Sequence, residues 1–229
     1  MIELQPSPTE LTTAATDLLL AIGCLFAAWR LLRTEHGDVY RGRLWATVFA
    51  LIGLASLLGT VAHGLVLPES LADAIWHPLY LALGLSVALI LVGALLDACG
   101  KAVARRWLGP ALAVGVAAFM ATQALDGAFI VFVAYEGVAT IVALALYARL
   151  ALQHAQPGAV LVAAGLALNL VAAAVQASDL SLRLIWAFDH NGLFHLVLFL
   201  ALALLYIGIE QGQAHTRDVS HVEDRETIG

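Results

Sequence analysis

The chain has 229 residues, of which 62% are hydrophobic and only 12% are charged, and its formal net charge is −6 at pH 7. Soluble domains contain about 45–50% apolar and about 25% charged residues, so this composition excludes an ordinary soluble protein and indicates an integral membrane protein. Without a basic patch, we expect no nucleic-acid partner.

Seven apolar runs are long enough to cross a bilayer, for which a helix needs about 20 residues. They lie at residues 14–33, 44–67, 72–97, 104–125, 127–150, 158–178 and 184–210. Short polar turns separate them. The sequence therefore predicts an all-α fold, a seven-transmembrane helix bundle that forms one domain over residues 1–210, followed by a polar cytoplasmic tail at 211–229.

The basic residues predict the orientation of the bundle. Of the 11 Lys and Arg residues, all but Arg183 flank the first, third and fifth loops or lie in the tail. Cytoplasmic loops carry an excess of such residues, so we expect the N-terminus outside and the C-terminus in the cytoplasm. The excess of Arg over Lys and the many Ala and Leu residues are typical of a GC-rich genome and favour a bacterial inner (plasma) membrane.

Polar side chains gather in the outer half of the predicted bundle, whereas the cytoplasmic half of the spans is almost purely aliphatic. The residues in question are Asp17, Ser56, Thr60, His63, Asp73, His77, Glu136, Asp189, His190, Asn191 and His195. Ionisable residues within spans are costly and usually face the bundle interior or a water-filled cavity. The pattern predicts a polar pocket at the outer mouth of the bundle, with His63 and His195 facing each other.

The histidines of this pocket suggest a metal site. Three neutral imidazoles plus a water are a common ligand set of catalytic zinc, and carboxylates beside them orient the rings. We expect His63 and His195 to share a zinc ion, with His190 or His77 as the third ligand. The alternative is that the histidines form hydrogen bonds between helices.

The arrangement resembles the CREST superfamily of seven-span membrane proteins, which includes alkaline ceramidases and the adiponectin and progestin receptors. The resemblance rests on a histidine late in span 2 (GTVAH, 59–63), an aspartate early in span 3 and the paired histidines of HNGLFH at 190–195. In that superfamily the motifs read SxxxH and HxxxH. Here Gly59 occupies the serine position and Asn191 the first histidine position.

The resemblance implies a zinc-dependent hydrolase that cleaves a lipid amide such as a ceramide-like or N-acyl lipid. A metal-activated water would attack the carbonyl, Asp73 or a nearby carboxylate would take the proton, and Thr60 or Ser56 would stabilise the oxyanion. Asp17, Glu136, Asp189 and Asn191 would support the pocket. The alternative is a non-enzymatic receptor or ligand-binding protein that uses the same pocket, with a membrane lipid as its ligand.

Two other classes of seven-span or multispan protein fit the sequence poorly. A microbial rhodopsin needs a lysine in span 7, and the single lysine of this chain, Lys101, lies in a predicted loop. A secondary transporter typically contains an inverted repeat with broken helices at the membrane midplane, and the sequence has no such repeat.

Overall fold

A computed structural model of the protein describes residues 3–33, 38–125, 129–183 and 185–228, and from residue 215 onward it describes only the backbone. These residues form seven α-helices: α1 Pro8–Leu32, α2 Val39–Gly64, α3 Glu69–Cys99, α4 Lys101–Ala124, α5 Phe129–Leu152, α6 Ala159–Gln176 and α7 His190–Ile228. Two short strands, β1 (Leu182–Arg183) and β2 (Ala187–Phe188), pair in an antiparallel hairpin between α6 and α7. The predicted all-α class is confirmed.

All seven helices are long and apolar enough to cross a membrane, and the protein is an integral membrane protein. Helix α1 begins six residues before the predicted span. The Ser7 side chain caps it by accepting a hydrogen bond from the Glu10 amide, and Pro8 stands in the first turn, where its missing N–H costs nothing. The helix therefore carries Glu10 into the bundle.

Six of the helices form a closed ring in the order α1, α2, α3, α5, α6 and α7, and α7 packs back on α1. Helix α4 lies outside this ring and packs mainly on α3. Gly84 and Gly115 allow that contact, because a Cβ on Gly84 would lie 2.9 Å from the Gly115 carbonyl oxygen. Such small residues are typical of close helix contacts in membranes.

Three segments meet at one end of the ring, which we call the N-terminal end. The backbone amide of Gln5 donates to the Gly64 carbonyl at 3.0 Å, which joins the chain before α1 to the α2–α3 turn. The Thr12 hydroxyl donates to the Ala187 carbonyl at 2.6 Å, which joins α1 to the β-hairpin. The other end, where α2 begins, is called the Arg41 end.

The hydrophobic core fills the half of the bundle nearest the Arg41 end. Trp45, Phe49, Val92, Tyr147 and Ile209 are almost fully buried there. The backbone of α7 continues as a helix across residue 210 to Ile228, and the division into a membrane domain and a tail stays a prediction.

Candidate functional site

A cavity of about 350 Å³ lies inside the ring, and each of the six ring helices contributes to its wall. Helix α4 contributes none of the lining residues among those the structure describes. The polar members of the wall are Asp17, Ser56, His63, Tyr80, Ser86, Glu136, Thr140, Asn169, Gln176, Asn191 and His195. Cavities of this size with mostly apolar walls and a few polar groups are typical of small-molecule sites.

Helix α1 positions His195, which lies one turn into α7. The Nδ1 atom of His195 lies 3.2 Å from the Thr16 hydroxyl, and its Nε2 atom lies 3.5 Å from a carboxylate oxygen of Asp17. Asp17 is only 5% exposed and faces the cavity. Thr16 and Asp17 of α1 therefore orient the His195 imidazole of α7. This contact places an acid, Asp17, beside a base, His195.

His63 lines the same cavity as His195 but has a different partner. Its Nδ1 atom lies 2.8 Å from the Glu10 carboxylate, and its ring meets the Trp76 ring edge-on with centroids 5.6 Å apart. The sequence did not indicate Glu10, because the first apolar run begins only at residue 14. The helical spacing of Glu10 and Asp17, seven residues apart on one face, was the signal that could have found it.

Gly59 leaves room for the Asp17 carboxylate between α1 and α2. A Cβ at residue 59 would lie 2.5 Å from the Oδ2 atom of Asp17, closer than any real side-chain carbon approaches. The position that corresponds to the serine of SxxxH is thus filled by a carboxylate from the neighbouring helix. Ser56, one turn earlier on α2, is buried and lines the cavity.

Across the ring from α1, a second carboxyl group reaches the cavity from α5. This group belongs to Glu136. Its Oε1 atom accepts a hydrogen bond of 3.1 Å from the side-chain amide of Asn169 on α6. Asn191 also lines the cavity, where its carbonyl oxygen accepts a 2.6 Å hydrogen bond from Gln176. Asn169 and Gln176 were not among the predicted site residues.

Five predicted site residues do not belong to the cavity wall. His77 and Asp73 are exposed, and the His77 Nδ1 atom lies 2.6 Å from the Asp73 backbone carbonyl, as their i, i+4 spacing allows. Thr60 donates to the Ser56 carbonyl of its own helix at 2.9 Å. The remaining two, Asp189 and His190, stand at the start of α7.

Asp189 caps helix α7. Its carboxylate accepts hydrogen bonds from the Gly192 amide at 3.0 Å and from the Thr13 hydroxyl at 3.3 Å. An Asp at a helix N-cap usually has this role, because its carboxylate satisfies a backbone donor that has no partner within the helix. The aspartate of FDHNGLFH therefore starts the helix, and its Asn191 and His195 face the cavity.

Zinc needs three or more nitrogen, sulfur or carboxylate donors that converge on one point. Within the described residues, no group of three or more His, Cys, Asp or Glu side chains is arranged to hold a metal ion. His63, His195 and Asp17 line the same cavity, whereas the two proposed third ligands, His77 and His190, do not line it. The zinc site, predicted on His63 and His195 with His190 or His77, stays a prediction.

The Arg41 end corrects the expectation of an almost purely aliphatic half. Arg41, only 6% exposed, forms a bidentate ion pair with Asp97, with N–O distances of 2.7 and 2.8 Å. Its third donor reaches the Ile209 carbonyl at 2.9 Å, and Tyr147 and Gln156 donate to the same Asp97 oxygen at 2.6 and 2.9 Å. We call these residues the Arg41 clamp.

Sequence comparison places the chain in a family. Residues 12–214 match a family of unknown function, DUF6962. No curated protein and no solved structure matches the chain. No match links the chain to the CREST superfamily, and that resemblance stays a prediction. Because the match spans all seven helices and most of the sequence, the chain belongs to the family of unknown function DUF6962.

Proposed function

We propose that the protein binds a small amphipathic, lipid-like molecule inside the six-helix ring. The observation that carries this proposal is the distribution of groups along the cavity wall. Near the N-terminal end the wall carries Asp17, His63 and His195, whereas toward the Arg41 end it includes the apolar residues Leu20, Ile52, Ile90 and Leu205. A ligand with a polar head and an apolar chain matches that gradient, since each part meets groups of its own kind.

The difference in packing between the two halves of the bundle supports entry of the ligand from the N-terminal end. The tightly packed core lies between the cavity and the Arg41 clamp, so the clamp and core separate the cavity from that end of the bundle. The polar lining residues all lie toward the other end or in the middle of the helices. We propose that the ligand enters at this side, sideways from the lipid.

Binding is tested with a brominated long-chain alcohol, whose bromine quenches a tryptophan that it contacts. Trp76 lines the cavity, whereas Trp107 is 52% exposed on α4, outside the ring. We expect saturable quenching in protein reconstituted into nanodiscs, relieved by the unbrominated alcohol. Trp76→Phe should remove the saturable component and Trp107→Phe should keep it. Quenching that is linear in probe, or unchanged by Trp76→Phe, would rule out binding in this cavity.

A second candidate is hydrolysis of a lipid amide with a bound zinc ion. The observation that favours it is that His63, His195 and Asp17 line one cavity. The same purified protein distinguishes the candidates. Stoichiometric zinc together with turnover of N-acyl lipids would support the hydrolase, whereas saturable binding without zinc or turnover would leave the binding protein alone.

We also propose that the N-terminal end faces outside and the Arg41 end faces the cytoplasm of a bacterial cell. The support is the positive-inside asymmetry of the loops. Cys99 is an exposed native thiol at the Arg41 end, and Cys24 is buried. In spheroplasts, a membrane-impermeant maleimide should label Glu69→Cys in a Cys99→Ser background. It should label native Cys99 only after lysis, and the reverse pattern would invert the orientation.

A further inference from the structure

We infer that the polar head of the ligand is a protonated amine that pairs with Asp17. This inference rests on the proposed binding function and names the chemical class of the ligand. The amine would lie between α1, α2 and α7, with its apolar chain directed toward Leu20, Ile52 and Leu205.

The first reason is that, among the described residues, neither a lysine nor an arginine pairs with Asp17. The side chain is 5% exposed, and the Nε2 atom of His195 lies 3.5 Å from its carboxylate, too far for a good hydrogen bond. Among the described residues, the cavity wall contains no lysine and no arginine. A buried carboxylate is costly unless a positive group pairs with it, and an amine in the cavity would supply that group.

The second reason is that the wall offers further acceptors. The Gln176 amide nitrogen donates to Asn191, and the Gln176 carbonyl oxygen is buried without a partner among the described residues. The Ser56 hydroxyl also lines the cavity. An ammonium group carries three donors and no acceptor, so it complements a wall that has acceptors to spare.

The third reason concerns the far side of the ring. Helix α5 lies opposite α1 and contributes a second carboxyl group, Glu136, which already accepts from Asn169. An anionic head group, such as that of a fatty acid, would face carboxyl groups on two sides of the cavity. Like charges in a low-dielectric site repel strongly, so the cavity discriminates against anions as well as favouring cations.

The test compares three probes with the same chain: dodecylamine, dodecanol and dodecanoate, each competing with the brominated alcohol in nanodiscs at pH 7. We expect the amine to compete roughly ten- to a hundredfold better than the alcohol, the range of one charge-assisted hydrogen bond. Dodecanoate should compete worst. Asp17→Asn should bring the amine to the level of the alcohol, and the matched variant Asp179→Asn, at an exposed residue outside the cavity, should keep the amine preference.

Comparing each probe between wild type and Asp17→Asn cancels the different partition of the probes into lipid. If the three probes compete equally in wild type, or if the acid competes best, the amine assignment is wrong while the binding function stands. If no probe competes, the proposed function itself fails. Should Asp17→Asn not fold, the ranking of the three probes on wild-type protein decides, with each probe corrected for its measured partition into protein-free nanodiscs.

Discussion

Replacing Arg41 by methionine is expected to lower the free energy of unfolding by about 3–5 kcal/mol, the cost of leaving one buried charge without its partner. Arg41 joins α2 to Asp97 of α3 and to the Ile209 carbonyl of α7. Its loss would leave the Asp97 carboxylate, 3% exposed, with only neutral donors. The measurement is unfolding of the detergent-purified protein by sodium dodecyl sulfate, followed by far-ultraviolet circular dichroism.

Arg43→Met is the matched control, because Arg43 lies on the same turn of α2 and is exposed. We expect it to change the free energy of unfolding by less than about 0.5 kcal/mol, as surface substitutions usually do. The double variant Arg41→Met, Asp97→Leu should regain much of the lost stability, because a buried ion pair can be replaced by well-packed apolar groups. Equal effects of Arg41→Met and Arg43→Met would show that the clamp contributes nothing.

The seven helices could be predicted because a bilayer demands runs of about 20 apolar residues, and each run stands out against polar turns. The position of α4 outside the ring could not be predicted. Its apolar composition is the same whether the helix faces lipid or protein. Its position depends on contacts between helices, such as the close approach of Gly84 and Gly115.

The candidate site was predictable in its depth but not in its partners. His63 and His195 were identified because imidazoles are expensive in hydrocarbon, and both line the cavity. Their partners Glu10 and Thr16 come from α1, which lies far away in sequence. Contacts of this kind depend on how the helices rotate about their axes, and the apolar stretches of a membrane helix fix that rotation only weakly.

The Arg41 clamp was missed for a related reason. A basic residue at the end of a predicted span is usually assigned to the cytoplasmic loop. The neighbouring sequence does not distinguish Arg41 from Arg43. The available signal was a pair of opposite charges, Arg41 and Asp97, at the adjoining ends of two neighbouring spans, with the polar Tyr147 and Gln156 at the same depth.

Replacing Gly59 by serine is expected to abolish the preference for an amine and to cost about 1–3 kcal/mol of stability through overpacking. A Cβ at residue 59 would lie 2.5 Å from Oδ2 and 2.9 Å from Cγ of Asp17. The carboxylate would therefore have to rotate out of its place between α1 and α2. The competition assay with dodecylamine and dodecanol measures the loss, and thermal unfolding in detergent measures the destabilisation.

The Gly59→Ser substitution also distinguishes two interpretations of the GTVAH segment at residues 59–63. If the chain works as the SxxxH motif of the CREST resemblance implies, a serine at residue 59 should create or raise lipid-amide turnover. If Asp17 is the head-group partner, turnover should stay absent and amine binding should fall roughly tenfold or more.

Gly109→Ala is the control, because a Cβ there meets nothing within 4 Å. It should leave the amine preference intact. An unchanged amine preference in Gly59→Ser would show that the head group does not depend on the position of the Asp17 carboxylate.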